Sequence, residues 1–528
     1  MSVVAQGLNW SQLIVDAGLT ERWSGSVDPV ITSVVEDSRQ ASPGSCFVAT
    51  HGTQLDGHTF IDSAIRAGAS AIICERALSL DDSIAMLRVG NARGTAGRLA
   101  GVLLGLDQRL RSGQLKVVGI TGTNGKSTFC YLLQAILKIA NQPTAMLGTV
   151  QYDLISRTIE ASMTTPPATV LMQYLVEAVE AGAQYAVMEV SSHALDQGRC
   201  DGVRFAVGVF SNLTGDHLDY HRDMDSYLRA KKQLFDNLDA EAVAVINVDD
   251  PAAQQMVADC RARVVHYGIT DNTSATDGPD VSAVVHEMTA SGTRLNLVVQ
   301  PRTANFVGQA EETHELMLPL VGRHNVQNGL AAASAAIALG VPLEKVIAGL
   351  MSVQQVPGRL QRVIVGGRND GNLSVESYDP GFAILVDYAH TDDALVNVLS
   401  ALRTLPTTNR LIVLLGCGGD RDRSKRPRMA AAAAMWADDI VVTSDNPRTE
   451  DPQRIIADIL RGFTGEHRQR VHVEPDRRKA IAAAIALARA GDVVLLAGKG
   501  HENYQIVGNE RYPFDDAAVA ADVLRGMC

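Results

Sequence analysis

The sequence predicts an α/β protein of three domains, and three observations carry that expectation. The chain has 528 residues, more than three times the roughly 150 of an ordinary domain. β-rich runs alternate with amphipathic helical patterns along most of it, the order that builds largely parallel sheets. At residues 115–140 a buried strand, a glycine-rich turn and a helix follow one another directly, as a phosphate-binding βα unit requires. Boundaries are expected near residues 114 and 357, giving domains 1–114, 115–357 and 358–528.

The first domain reads as a small α/β unit, with β-rich runs at 31–35, 46–50 and 71–74 and helical patterns at 60–67 and 93–104. The second opens at Leu115 and continues into a helix that gathers Phe129, Leu132, Leu133, Ile136, Leu137 and Ala140 on one face. Strands at 185–190, 206–211 and 242–247 then alternate with helices, so its sheet should be mostly parallel. Residues 270–313 are polar, with apolar alternation only at 294–299, and read as an irregular β excursion. The third domain begins at Gly358. Its strands at 383–386, 411–415, 439–442, 471–473 and 493–496 are separated by helices starting near Asp392, Pro427, Pro452 and Asp476, a doubly wound, Rossmann-like series.

Composition excludes several classes. Hydrophobic residues are 46% and charged residues 20% of the chain, the usage of an ordinary globular protein. Lys plus Arg number 47 against 59 Asp plus Glu, a net charge of −12, which argues against a broad nucleic-acid or anionic-membrane surface. The seven cysteines (Cys46, Cys74, Cys130, Cys200, Cys260, Cys417 and Cys528) are odd in number and scattered, with no C-x-x-C pair. Neither a disulfide framework nor a zinc site is suggested, and a reducing compartment fits. The N-terminus lacks a basic signal region, and no run reaches the ~18 apolar residues of a membrane span. The Ala-rich stretch 329–341 reads as a buried helix, and the cytoplasm is the expected location.

The string GTNGKST occupies residues 122–128, between the strand and the helix. Its glycines let backbone N–H groups approach phosphate oxygens, Lys126 supplies a point charge, and Ser127 a hydroxyl for Mg²⁺. Ile120 stands where the strict pattern has its first glycine, so the assignment rests on context, with a structural turn as the bland alternative. Glu189 ends one predicted strand, and Asp216 and His217 follow another. Acidic and imidazole groups at the carboxyl ends of parallel strands lie beside such a loop, where they either complete a metal site or serve as caps and core residues.

Residues 223–238 begin with an N-capping Asp223 and carry Met224, Tyr227, Leu228, Leu234, Phe235 and Leu238 on one helical face. At 100° per residue, Lys231 points along the middle of that stripe and Lys232 does not. An unpaired buried ammonium is costly. Lys231 must therefore snorkel, pair with an acid or be chemically changed, and a depressed pKa would make its amine nucleophilic.

Taken together, these strings and others resemble the Mur ligase family over nearly the whole chain, and within it the branch that adds meso-diaminopimelate. The others are DSR at 37–39, GTQLDG at 52–57, TTP at 164–166, EVSSH at 189–193, HLDYH at 217–221, GRHNVQN at 322–328, PGR at 357–359, DYAH at 387–390, GCGGDRD at 416–422, DNPR at 445–448 and GKGHE at 498–502. The resemblance implies three domains, in order for a UDP-muramoyl substrate, for ATP and for an amino acid. It implies that ATP phosphorylates the D-glutamate γ-carboxylate of UDP-MurNAc-L-Ala-D-Glu and that an amine attacks the acyl phosphate, in a cytoplasmic enzyme of peptidoglycan precursor synthesis expected to be a monomer.

Residue by residue, the resemblance implies that Gly122, Thr123, Asn124, Gly125, Lys126, Ser127, Thr128, Asn325, Asn328, Arg359 and Asp387 bind ATP. It makes Lys126, Glu189, His217 and Lys231 the catalytic set and Ser127, Glu189, His217 and Lys231 the Mg²⁺ set, Lys231 acting as an N6-carboxylysine carbamate. It places Ser38, Thr53, Gln54, Leu55, Thr164, Thr165, Ser191, Gln197 and Arg199 at the UDP-muramoyl-dipeptide. Glu36 departs from the family, whose members carry an apolar residue there.

For the amino acid, the resemblance implies Arg426, Asp445, Asn446, Pro447, Arg448, Gly498 and Glu502. A guanidinium grips a carboxylate bidentately, and meso-diaminopimelate differs from lysine by a second carboxylate. Arg448, after a strand and before a helix, is the expected discriminator, with Glu502 suited to the distal ammonium. The rivals are an L-lysine-adding relative, a folylpolyglutamate synthetase, which the UDP-muramoyl-type first domain disfavours, and a P-loop switch protein.

Overall fold

A computed structural model describes residues 7–52, 55–271, 278–289, 291–300, 312–364, 380–406 and 408–527. In the first sheet, strands Ser33–Val35, Ser45–Val48, Ala71–Cys74 and Ala85–Arg88 run parallel in that order, and Trp23–Ser24 closes the edge antiparallel. Every residue of Ser45–Val48 and Ala71–Cys74 is buried, as expected of parallel strands covered on both faces. Phe47, Ile61, Ala64 and Ile72 fill one face. The other joins a core that continues into the central region, where helix Ala92–Leu103 packs on helix Ala168–Glu180.

Among the described residues the central sheet has eleven strands, seven of them parallel, from Thr144–Leu147 at one side to Val281–Thr289 at the other. Strand Lys116–Thr121 lies between Tyr185–Glu189 and Phe205–Phe210. The carboxyl ends of three strands therefore meet where the glycine-rich turn begins. Helix Lys126–Ile139 buries Phe129, Leu132, Leu133, Ile136 and Leu137, the face read from periodicity. The Ala-rich helix Arg323–Ala338 is buried along most of its length against it.

The 270–313 excursion is β structure among its described residues, and it is paired into the central sheet. Val281–Thr289, Gly292–Val299 and Glu312–Leu318 form an antiparallel meander that extends the same sheet. Leu295, Leu297 and Leu316 turn inward while polar neighbours face out. The many polar residues belong to the solvated face of a half-buried ribbon, and a bulge between Val285 and Glu287 breaks the period there.

Among the described residues the third sheet has five parallel strands, Ala383–Asp387, Val493–Ala497, Leu411–Leu415, Asp439–Val442 and Val471–Val473 in spatial order, with Gln361–Arg362 antiparallel at one edge. Two separate cores cover its two faces, the doubly wound arrangement expected. The hairpin Tyr504–Val507/Glu510–Pro513 and the last helix, Asp516–Met527, went unread in the sequence. Arg477 and Asp516 fasten that helix by an ion pair with no exposed side-chain surface on either partner. No helix among the described residues is long and apolar enough to cross a membrane.

Candidate active site

The turn after Lys116–Thr121 holds Gly122 at φ 149° and Gly125 at φ 91°, and both positions demand glycine. A Cβ on Gly122 would sit 1.9 Å from Ser211 Oγ, and one on Gly125 2.2 Å from Asn328 Oδ1. Asn328 Nδ2 donates to Asn325 Oδ1 and Asn325 Nδ2 to the Val321 carbonyl, so the buried helix Arg323–Ala338 braces the loop. From the next strand, the Asn124 carbonyl accepts from Ser211 Oγ and Asn212 Nδ2. Lys126 Nζ donates to the Gly122 and Thr123 carbonyls at 2.9 and 2.8 Å, and Thr128 is buried in the first helical turn.

Ser127 Oγ donates to Glu189 Oε1 at 2.8 Å, and Thr149 donates to the same carboxylate through its amide and its hydroxyl. From the third domain, Arg359 Nη2 reaches Ser127 Oγ at 3.2 Å while its guanidinium lies over the Tyr388 ring. Asp387 accepts the amides of Leu360 and Ala389, which fixes the Arg359 turn, and burial raises its pKa. The ATP residues expected from sequence thus converge from two domains on one loop. Thr149, with no motif of its own, was missed because only tertiary packing brings it to Glu189.

Lys231 is 1% exposed on helix Met224–Asp236, capped by Asp223 as expected. Its Nζ donates to the Gly122 carbonyl at 2.8 Å and lies 4.3 Å from the centre of the Tyr227 ring. It does not snorkel. Burial, reinforced by Lys126, pushes its pKa well below the ordinary lysine value. Lys232, its side chain 13% exposed, turns away from the apolar stripe and pairs with Asp236 and Asp259. Met224, expected on the apolar face, is instead 37% exposed, because it occupies the first turn of the helix. His217 stands at φ 54°, its ring edge-on to His193, and Tyr227 lies between it and Lys231.

On the first-domain side, Thr165 Oγ1 donates to the Glu189 carbonyl and accepts the Ser191 amide, while Ser191 caps the helix Ser192–Asp196. Arg199 forks onto Gln197 Oε1 and reaches the Thr165 carbonyl, and Thr164 meets Thr149. Ser38 lies in a short turn held by Asp37, and Leu55 is exposed at the surface. Thr53 and Gln54 lie outside the described residues. Glu36 accepts from Thr169 and sits near Arg93, a polar contact between the first two domains.

In the third domain, Asp445, Asn446 and Pro447 lead into Arg448, which takes φ 51° and donates through Nη1 to the Gly419 carbonyl. Asn446 Nδ2 donates to Glu502 Oε2 at 2.8 Å, and Gly498, at φ 109°, passes close to Asp445. Arg426 is not brought to the cleft surface: its side chain has no exposure and its guanidinium is held by Glu450 and Asp458. Lys499, within the GKGHE string, was overlooked and proves fully buried among these groups. A cavity of ≈ 480 Å³ separates Thr149, Ser162 and Thr164 of the central domain from Tyr388, His501 and Glu502 of the third.

A strand, glycine-rich turn and helix reached by an arginine of one neighbouring α/β domain, with another α/β domain packed against the central core, is the architecture of a nucleotide-dependent enzyme of three domains. Residues 120–336 match the Mur ligase middle domain, 374–500 the Mur ligase glutamate ligase domain, and 30–95 the Mur ligase family catalytic domain. The chain is 41% identical to the UDP-N-acetylmuramoyl-L-alanyl-D-glutamate--2,6-diaminopimelate ligase of Geobacter metallireducens, covering 95% of this chain and 96% of that one. It is 42% identical to the ligase of the same name from Parasynechococcus marenigrum, covering 98% and 99%. A solved structure of a ligase with that name aligns over 99% of both chains at 31% identity and a TM-score of 0.66. The folylpolyglutamate synthase of Mycobacterium tuberculosis, solved with ADP and AMPPCP, shares the fold at 19% identity and a TM-score of 0.57, over 81% of this chain and 93% of that one. The chain belongs to the Mur ligase family and is an ATP-dependent ligase that forms a peptide bond.

Proposed function

We propose that this enzyme ligates meso-diaminopimelate to the D-glutamate γ-carboxylate of UDP-MurNAc-L-Ala-D-Glu, in the cytoplasm and as a monomer, with ATP consumed to ADP and phosphate. The observation that carries the reading is the inter-domain cavity. It sets Thr149, which donates to Glu189, and its partner Thr164 opposite Glu502 of the amino-acid loops. A carboxylate activated at the phosphate loop and an amine held by the third domain would meet there.

The γ-carboxylate oxygen attacks the terminal phosphorus of ATP and the bond to ADP breaks. The amine nitrogen then attacks the acyl carbon, loses a proton, and phosphate leaves with the former acyl–oxygen pair. Lys126, the loop amides and Arg359 neutralise the crowded phosphate charge. Ser127 Oγ and Glu189 Oε1 converge within 2.8 Å as hard oxygen donors, a set that suits Mg²⁺. Those residues with His217 would hold Mg²⁺, and the Lys231 carbamate would offer an oxygen to a second ion. Bound Mg²⁺ supplies positive charge to the transferring phosphoryl group. Carbamylation itself needs a neutral amine: Lys231 nitrogen bonds to the carbon of CO₂ and releases a proton, turning a buried neutral amine into an anionic oxygen ligand.

The test is ADP release by the purified enzyme, with mass analysis of the product. Turnover should require ATP, the UDP-muramoyl-dipeptide and meso-diaminopimelate together. Equal use of L-lysine, or ADP release independent of the amino acid, would contradict the reading.

A further inference from the structure

Lys499 follows the strand Val493–Ala497 and has no exposed side-chain surface. An ammonium has three donors, and three acceptors surround this one: Asn446 Oδ1 at 3.1 Å, Asp445 Oδ1 at 3.2 Å and Glu502 Oε2 at 3.4 Å. Lys499 donates to Asn446 and Glu502 and pairs by charge with Asp445, so its ammonium is a support for these neighbours. Asn446 Oδ1 also accepts the Ile506 amide, at 3.0 Å. With its oxygen held twice, the Asn446 amide has one orientation, and its Nδ2 must point to Glu502.

We propose that Lys499 is a positioning and specificity residue for the incoming diamino acid: it fixes Asn446 and Glu502 as one rigid array and cancels one of two neighbouring carboxylate charges. Two carboxylates and one ammonium leave a net charge of −1, which complements a single ligand ammonium. Both bonds to Glu502 fall on Oε2, which leaves Oε1 for the cavity that Glu502 lines. Without Lys499, Asp445 and Glu502 would face each other as like charges, and one would take up a proton. Burial and Asp445 already push the Glu502 pKa upward, and Lys499 opposes that shift. Arg477, whose guanidinium reaches the Ser444 and Ala497 carbonyls, braces the two loops from behind.

This inference rests on the proposed substrate, so the experiment separates the two. Steady-state constants for all three substrates are measured in the unmutated enzyme and in Lys499→Met, Lys499→Gln and Lys499→Arg. In the Met and Gln variants the KM for meso-diaminopimelate should rise roughly 10- to 100-fold, the loss of a charge-assisted contact. KM for ATP and for the UDP-muramoyl-dipeptide should stay within about 3-fold, and Lys499→Arg should recover most of the loss. An unchanged KM for the diamino acid, or a fall in kcat with all three KM values preserved, overturns the role of Lys499; loss of all activity in both Met and Gln with meso-diaminopimelate binding by calorimetry unchanged does the same. Failure of the unmutated enzyme to use meso-diaminopimelate would instead strike the functional reading itself.

Discussion

Arg359 Nη2 lies 3.2 Å from Ser127 Oγ, although 232 positions separate the two residues in the chain. The contact joins the third domain to the phosphate loop and puts a guanidinium where transferring phosphoryl charge develops. Arg359→Ala should lower kcat by ~100-fold or more, the scale for losing one preorganised donor to transition-state charge. Stopped-flow measurement of acyl-phosphate formation in single turnovers checks it; an unchanged first step would show that Arg359 serves only domain docking.

Lys231→Ala should abolish turnover, while Lys232→Ala, which removes only the pairs with Asp236 and Asp259, should retain it within about 2-fold. The native pKa of Lys231 is depressed below 10.5. The unfolded chain therefore binds a proton that the native state lacks, and the stability of CO₂-free protein should rise with pH toward that value. Lys231→Met should remove this dependence in chemical denaturation. In ¹³CO₂, the unmutated protein should give a carbamate NMR signal absent from Lys231→Met.

Arg448→Ala should weaken meso-diaminopimelate use by about 1.5–3 kcal/mol, the range of a charge-assisted bond, and raise its KM with ATP affinity unaffected. Competition between meso-diaminopimelate and L-lysine reads the same contact, since only the former carries the second carboxylate. Discrimination that survives the substitution would move the specificity determinant elsewhere.

Gly125→Ala places a methyl group against Asn328 Oδ1 at a φ of 91°. Strain of about 1–3 kcal/mol is expected, together with loss of ATP binding, because the loop must shift to accommodate it. Thermal melting with and without ATP measures both, and a normal ATP-induced rise in Tm would refute the fit.

Glu450 is held by Arg426, and its pKa falls from 4.5 to about 2. A depressed carboxylate contributes stability that is present above 4.5 and is lost as pH falls through about 2. The acid-denaturation curve of Glu450→Gln should be flatter across that window. Superimposable curves would mean that Arg426 is satisfied by Asp458 alone.

Much of the site was legible in sequence because its chemistry is local. GTNGKST between a strand and a helix needs no distant partner to be read, and the 100° helical step alone separates Lys231 from Lys232. The strands of the third sheet were legible because residues buried on both faces form short, unbroken apolar runs. The β character of the segment ending in 281–318 was legible, but its pairing as a meander was not, because polar residues on one face of a ribbon hide the period until the other face is seen to be packed.

What the sequence by itself determined about this enzyme is therefore its three-part α/β organisation, its phosphate loop and the lysine set into an apolar helical face, since each is written in neighbouring residues. Only the tertiary structure decided which groups answer one another. Thr149 reaches Glu189, Arg359 reaches Ser127, Arg426 is enclosed by Glu450 and Asp458, and Lys499 binds Asp445, Asn446 and Glu502 together. The physical reason is distance along the chain: a hydrogen bond or ion pair between segments far apart leaves no periodic trace in either, and exists only once the sheets that carry them have packed.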